Sequence, residues 1–258
     1  MFTIQHFVWL AISAIFIATT LFLLRRYRPG LTKFLSICCV GCIISEVLKI
    51  SSVIVMVPTL DGTNYTPYIP LTVLPLHLCS IQIIHIYICR FAKPGRLRDT
   101  LLAFMYSTCI AGAFFALMIP TLFIDGTVPL SQAFVSQHCY EYFLFHSLLI
   151  TLGVYIPMSG EVKIQGRHFF SSLALLGLYA FVSLYLNSVF STAVYEDGVL
   201  VAVKTTNFFF TYSNPLGIVL SETWQWAIYL GIILMLAIVL LGAFYLPFRQ
   251  KKGEKIAC

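Results

Sequence analysis

The sequence predicts an all-α polytopic membrane protein, a single domain over residues 1–258 built as a bundle of seven transmembrane helices. Hydrophobic residues make up 59% of the chain and charged residues only 10%, and the mean hydropathy is +0.91. These values lie far outside the usual range of soluble domains. Seven apolar stretches reach the length of about 20 residues that a helix needs to cross a bilayer. The basic residues fall almost entirely in alternate loops, as in multi-pass proteins.

The apolar stretches predict seven helices, with bounds 4–24, 34–57, 70–90, 100–119, 137–157, 168–190 and 224–247. The first stretch has no basic flank before it and is too long for a signal-peptide core, so we expect it to be a helix of the mature protein. The external loop at about 191–223 contains the apolar run NFFFTYSNPLGIVL, residues 207–220. This run is too short to span the bilayer, and it could lie over the outer mouth of the bundle as a lid.

The lysines and arginines predict that the N-terminus is outside and the C-terminus cytoplasmic, because these residues favour cytoplasmic loops. Fourteen of the sixteen lie in four segments of one side, residues 25–33, 90–98, 163–167 and 249–255. Orientation and contact with anionic lipid therefore explain the net charge of +6. No basic surface with interleaved aromatic residues predicts a nucleic-acid partner. The partner is the bilayer, either a bacterial plasma membrane or a eukaryotic endomembrane.

Polar residues at matching depth form the candidate site. In the third predicted helix Cys79 lies about 14 Å below the outer surface, and His146 in the fifth lies at a similar depth. Glu46 in the second lies at about 12 Å. A cysteine, a histidine and an acid together are the constellation of nucleophilic acyl transfer, so the pattern predicts Cys79 as nucleophile, His146 as general base and Glu46 as the orienting acid. Gln82, one turn deeper, would hydrogen-bond an oxyanion or a lipid ester.

Other interpretations of these residues are open. Glu46 and Lys49 are three residues apart and could form an ion pair with a structural role. His77 is two residues from Cys79, so it would point to nearly the opposite side and hydrogen-bond a neighbouring helix. Cysteine and histidine pairs also occur simply as polar contacts between membrane helices.

The remaining polar residues have ordinary structural explanations. His85 lies near the cytoplasmic end of its helix, where a histidine is common. His138 and Glu141, three residues apart, are expected to form an interfacial pair. The eight cysteines show neither a disulfide framework nor the spacing of a zinc site, so we expect no metal and no cofactor.

Several motifs resemble one family of membrane proteins. The segment LPLHLCS, residues 74–80, is similar to the hallmark of the YwaF-like integral membrane proteins, a family that includes transmembrane protein 164. AGAFFALMIPTL, residues 111–122, resembles the fourth-helix segment of that family, and FLFHSLLI, residues 143–150, resembles its fifth-helix histidine motif. Asn187 and Asn207 resemble its paired asparagines, although the segment between them is longer than the usual family spacing.

The resemblance implies a seven-helix lipid acyltransferase in which Cys79 accepts the acyl group and His146 is the acid and base. It also brings His77 into the motif of the site and makes Asn187 and Asn207 candidates for substrate binding. The expected reaction moves an acyl chain from a phospholipid to a lysophospholipid or another lipophilic acceptor.

Two functions of other classes remain open. A ligand-binding or transport protein would use Glu46, Lys49 and His146 to hold a ligand or a proton. A lipid acyl hydrolase would use the same residues as the transferase, with water reaching the thioester.

Overall fold

The computed structural model describes residues 2–59, 61–124, 126–196, 199–204, 206–212 and 219–248. The basic tail at 249–258 and parts of the 191–223 loop lie outside the described residues. Each predicted membrane stretch contains a helix. The helices are α1 (Ile4–Tyr27), α2 (Leu31–Val53), α3 (Leu78–Phe91), α4 (Arg96–Met118), α5 (Thr121–Ile124), α6 (Gln137–Met158), α7 (His168–Val189) and α8 (Thr223–Tyr245). Six of these are long and apolar enough to cross a membrane.

Helix α6 lies at the centre of the bundle. It packs against α1, α2 and α4, while α3 lies between α2 and α4, and α7 and α8 pack on the far side of α4. Side chains that are completely buried fill the space between α4 and α6, among them Leu102, Met105, Leu149 and Leu152. The outer surfaces of α1 and α8 remain apolar and exposed, as a lipid-facing surface requires.

The segments predicted to be cytoplasmic meet at one end of the bundle. The guanidinium of Arg90 donates to Ser36 Oγ at 2.5 Å, which joins the end of α3 to the start of α2. The Leu31 amide donates to Glu161 Oε1 at 2.6 Å, which caps α2 with a residue that follows α6. The grouping agrees with the predicted orientation, and the side of the membrane that this end faces stays a prediction.

The third membrane segment differs from its predicted form. Helix α3 begins at Leu78, and the preceding backbone contains a short 3₁₀ turn, Leu71–Val73, followed by irregular structure. The prediction of a helix from residue 70 is wrong because Pro75 disfavours the helical conformation at Leu74, whose φ and ψ are −53° and 143°. The first third of this segment is therefore non-helical.

The structure contains two short antiparallel β-ribbons in addition to the predicted helices. Strands β1 (Val55–Pro58) and β2 (Tyr65–Tyr68) pair directly after α2, so that helix ends four residues earlier than predicted. Strands β3 (Thr192–Glu196) and β4 (Val199–Lys204) pair after α7. Both ribbons project from the end of the bundle opposite the basic loops.

A candidate active site at the start of α3

Cys79 is the second residue of α3, at a helix N-terminus that lies within the membrane segment. The Ile81 amide bonds the His77 carbonyl at 2.9 Å, and His77 gives the helix no side-chain cap. Within the described residues, the amides of Leu78, Cys79 and Ser80 have no acceptor. Free amides and the helix dipole favour an anion at this point, whether a thiolate or an oxyanion.

The residue of α4 that faces Cys79 is a glycine, Gly112. A Cβ atom placed on Gly112 of α4 would lie 3.4 Å from the Cys79 sulfur and 3.4 Å from Leu78 Cδ2. Cys79 is also partly exposed, unlike most cysteines of the core. The thiol therefore packs directly against the Gly112 backbone of α4, with no side chain between them.

His146 has the hydrogen-bond pattern of a general base. The residue is only 8% exposed, and Nδ1 lies 2.6 Å from the Tyr142 carbonyl oxygen. A carbonyl can only accept, so Nδ1 carries the proton and Nε2 presents its lone pair. Nε2 makes no hydrogen bond to any residue that the structure describes. The Tyr142 ring supports the imidazole, with centroids 4.4 Å apart.

The structure places Cys79 and His146 at one level of the bundle. Helices α3 and α6 end on the same side, and each residue precedes the last residue of its helix by 12 positions, or about 18 Å. Both also approach one stretch of α4. The Tyr142 hydroxyl donates to the Ala116 carbonyl at 2.8 Å, one turn beyond Gly112, the residue of α4 that lies against Cys79. No hydrogen bond joins thiol and imidazole in the described part of the chain.

Glu46 forms the ion pair with Lys49 that their spacing allows, and no hydrogen bond joins it to His146 among the described residues. The Lys49 ammonium lies 2.5 Å from Glu46 Oε1. The Nδ1 proton of His146 goes to a backbone carbonyl instead of a carboxylate. A carbonyl fixes the tautomer as a carboxylate does, but it adds no full negative charge beside the imidazolium.

Gln82 lies in a polar network between helices instead of facing a substrate. Its amide nitrogen donates to the Leu78 carbonyl and to Thr108 Oγ1, each at 3.1 Å. Its oxygen accepts from His85 Nδ1 at 3.1 Å, and His85 Nε2 accepts from the Tyr179 hydroxyl at 2.7 Å. Both amide protons are used within the protein, so the predicted bond to an oxyanion or ester would require one of these two bonds to break. The network joins α3 to α4 and α7.

Asn187, fully buried in α7, fastens the outer loop to the bundle. Its amide nitrogen donates to the Phe208 carbonyl at 3.1 Å and to Thr211 Oγ1 at 2.9 Å. Its oxygen accepts from the Thr206 hydroxyl and the Phe208 amide, both at 2.9 Å. These bonds hold residues 206–212 and give Asn187 a structural role, and its role in substrate binding stays a prediction.

Residues 206–212 form a cover over the start of α3. Asn207 stabilises it from within, since its side-chain oxygen accepts from the Tyr212 amide at 3.1 Å. The ring of Phe208 packs edge-on against that of His77, with centroids 5.1 Å apart. Phe209 adopts a left-handed φ of 57°, which is costly for an aromatic residue. The ring contact joins the cover to His77, two residues before Cys79. The cover itself belongs to the loop that was predicted to form a lid.

Glu141, predicted to lie at the membrane interface, is instead a buried acid. Glu141 is only 7% exposed, and its Oε1 accepts from the Ser45 hydroxyl of α2 at 2.6 Å. The expected interfacial pair with His138 is wrong, because Glu141 faces inward. The sequence signal for a buried position was a carboxylate inside an apolar helix, five residues before His146.

The arrangement of long apolar helices around a buried polar site defines an integral multi-pass membrane protein. The chain belongs to the TMEM164 family, whose profile matches residues 1–245. The match confirms the resemblance drawn from LPLHLCS and extends it over essentially the whole chain. No curated protein and no solved structure matches the chain. Among the described residues, no three His, Cys, Asp or Glu side chains gather as a metal site.

Proposed function

We propose that the protein is a membrane-embedded lipid acyltransferase that carries the acyl group on Cys79. The observation that supports this best is the position of Cys79 at an uncapped helix N-terminus, level with the free Nε2 of His146. Thiolate, base and anion-stabilising amides are the three requirements of acyl transfer through a covalent intermediate.

In the first half-reaction, Nε2 of His146 takes the thiol proton and the Cys79 sulfur attacks the ester carbonyl of a phospholipid. The amides of Leu78, Cys79 and Ser80 receive the oxyanion of the tetrahedral intermediate. The bond between the acyl carbon and the glycerol oxygen then breaks, and His146 returns its proton to the leaving glycerol alkoxide. The products are a lysophospholipid and a thioester on Cys79.

In the second half-reaction, the hydroxyl of a lysophospholipid or another lipophilic acceptor gives its proton to His146 and attacks the thioester. The thiolate leaves and takes up the proton, so the enzyme is restored. Water in place of the acceptor would make the same residues a hydrolase. Residues 206–212 pack against His77, two residues before Cys79, and limited entry of bulk water at this point would favour the lipid acceptor.

The test is to incubate the purified protein with acyl-labelled phospholipid and to treat the product with neutral hydroxylamine, which cleaves thioesters more readily than oxygen esters. A removable label is expected on the native protein and none on Cys79→Ala. His146→Ala should slow labelling by about 10² to 10⁴, the usual contribution of a general base. Cys89→Ala, altered about 15 Å further along the same helix, is the matched control and should label normally.

Adding lysophospholipid should speed the loss of the label. Equal loss with and without it would identify a hydrolase. If no phospholipid leaves a label while transport of a ligand or proton depends on Glu46, the acyltransferase proposal fails and the transport alternative replaces it.

A further inference from the structure

Three charged side chains lie together near the outer ends of α2 and α6. Lys49 pairs with Glu46 on α2, and the Glu141 carboxyl of α6 accepts from Ser45, which lies one turn before Lys49 on the same face of α2. Lys49 also interacts with His77, which directly precedes α3. The charged group therefore adjoins the candidate active site, although no step of the proposed acyl transfer uses it.

Among the described residues, Glu141 makes no ion pair, since Lys49 pairs with Glu46. Glu141 is only 7% exposed, so burial disfavours its charged form unless a cation lies beside it. One of its oxygens bonds Ser45, and the other has no donor among the residues that the structure describes. Buried carboxylates are normally paired, because an unpaired charge in a membrane interior is costly. A positively charged ligand group would supply the missing partner.

The group also lies at the right height for the polar end of a lipid. Lys49 is 18 residues from the start of α2 and Glu141 is 17 from the end of α6, so both lie about 26 Å above the basic end. Cys79 and His146 lie at about 18 Å, which is roughly 8 Å deeper. Five covalent bonds separate a phospholipid phosphorus from an ester carbonyl carbon. At ordinary bond lengths they span about 6 Å, and an ethanolamine ammonium lies further out.

The group is open to the bilayer from the side. Glu46 keeps 26% of its side chain exposed, and the neighbouring Val47 is 60% exposed. A lipid can therefore reach the charges from the outer surface of α2 without passing through the bundle.

We infer that Lys49, Glu46 and Glu141 form a subsite for a zwitterionic phospholipid headgroup, with the phosphate against Lys49 and the ammonium against Glu141. The inference rests on the proposed function for the choice of ligand, since it makes this lipid the acyl donor. Binding, however, is measured without turnover, so the two proposals fail separately.

The experiment uses the full chain with Cys79→Ala, which binds donor but forms no thioester. A spin-labelled phosphatidylethanolamine reports binding, and three unlabelled lipids with identical chains compete: phosphatidylethanolamine, phosphatidylglycerol and diacylglycerol. Phosphatidylethanolamine should compete about tenfold better than phosphatidylglycerol, the value of one charge-assisted hydrogen bond. Diacylglycerol, which lacks both charges, should be the weakest.

Two variants separate the two contacts. Glu141→Gln should remove the preference for phosphatidylethanolamine over phosphatidylglycerol, and Lys49→Gln should weaken both about tenfold relative to diacylglycerol. Glu196→Gln, which removes an exposed carboxylate of the β3–β4 ribbon, is the control and should change nothing.

Equal competition by the three lipids against the Cys79→Ala protein would overturn the inference, even if the further variants fail to fold. A preference that survives Glu141→Gln in folded protein would also overturn it. Labelling of Cys79 is a separate measurement, so an acyltransferase without headgroup preference remains a distinct result.

Discussion

Replacing two glycines by alanine tests whether Gly112 leaves room for chemistry at Cys79. Gly112 and Gly153 both lie inside helices of the α4–α6 core, and both changes add one methyl group. The two methyl groups meet different neighbours, so the matched pair separates an effect on reaction from an effect on folding.

At Gly153 the added Cβ would lie 2.6 Å from Ile110 Cγ1 and 3.1 Å from the Tyr106 carbonyl oxygen. Carbon atoms settle at about 3.5–4.0 Å, so α4 and α6 must separate by on the order of 1 Å. Overpacking of this kind costs about 1–3 kcal/mol, against a gain of about 0.5–1 kcal/mol in helix propensity. Gly153→Ala should therefore lose about 1–2 kcal/mol of stability.

At Gly112 the nearest atoms would lie at 3.4 Å, which is ordinary contact. Stability should hold or rise by up to about 1 kcal/mol. The methyl group would fill the space beside the Cys79 sulfur, and displacement of a reacting atom by even 1 Å can cost about 10² in rate. We expect Gly112→Ala to slow thioester formation by about 10 to 10².

The assay pairs thermal unfolding of the detergent-solubilised protein with the rate of hydroxylamine-sensitive labelling. Gly112→Ala should melt at or above the native temperature and label slowly. Gly153→Ala should melt lower, and its labelling rate per folded molecule should change less. Native labelling by Gly112→Ala would refute the assignment of this space to the reaction, and an unchanged melting temperature for Gly153→Ala would refute the packing argument.

Three further outcomes follow from the structure. Asn187→Ala removes four buried hydrogen bonds, so it should lower stability by about 1–3 kcal/mol. It should also speed alkylation of Cys79 by a lipid-soluble maleimide. Unchanged alkylation would show that residues 206–212 do not cover the thiol. Gln82→Met should also lower stability, but labelling per folded molecule should stay within about twofold of native, since a loss above about tenfold would return Gln82 to the substrate site. For orientation, a membrane-impermeant maleimide added outside should label Asp61→Cys and not Arg96→Cys, and the opposite pattern would invert the predicted topology.

The sequence predicted the helices well because span length and hydropathy follow directly from the thickness of the bilayer. It predicted the level shared by Cys79 and His146 for a partly wrong reason. The depth of Cys79 was counted from residue 70 as if the chain were helical there. Counting from Phe91, the last residue of α3, passes through helical residues only and still places Cys79 level with His146. The pairing of depths survives because the two helices end together at the basic side.

Partners within the bundle could not be predicted, because they depend on which way each helix is rotated. Glu141 was assigned to His138 from spacing on one helix, yet its partner Ser45 comes from another. Gln82 and Asn187 resembled substrate ligands by chemistry and family motif. Their donors and acceptors are instead taken up by groups far away in sequence.

The irregular backbone before α3 gives the site its chemical character. Non-helical backbone at membrane depth leaves amides without acceptors, and a membrane tolerates it only where protein or water satisfies them. Here Pro75 prevents a helix that starts at residue 70 from continuing into α3. Helix α3 therefore begins at Leu78, and its first amides are free. A continuous helix from residue 70 would have bonded those amides and left Cys79 an inert thiol. In the proposed reaction the proline and the cysteine of LPLHLCS act together, since Pro75 creates the helix end whose free amides would stabilise the anion formed at Cys79.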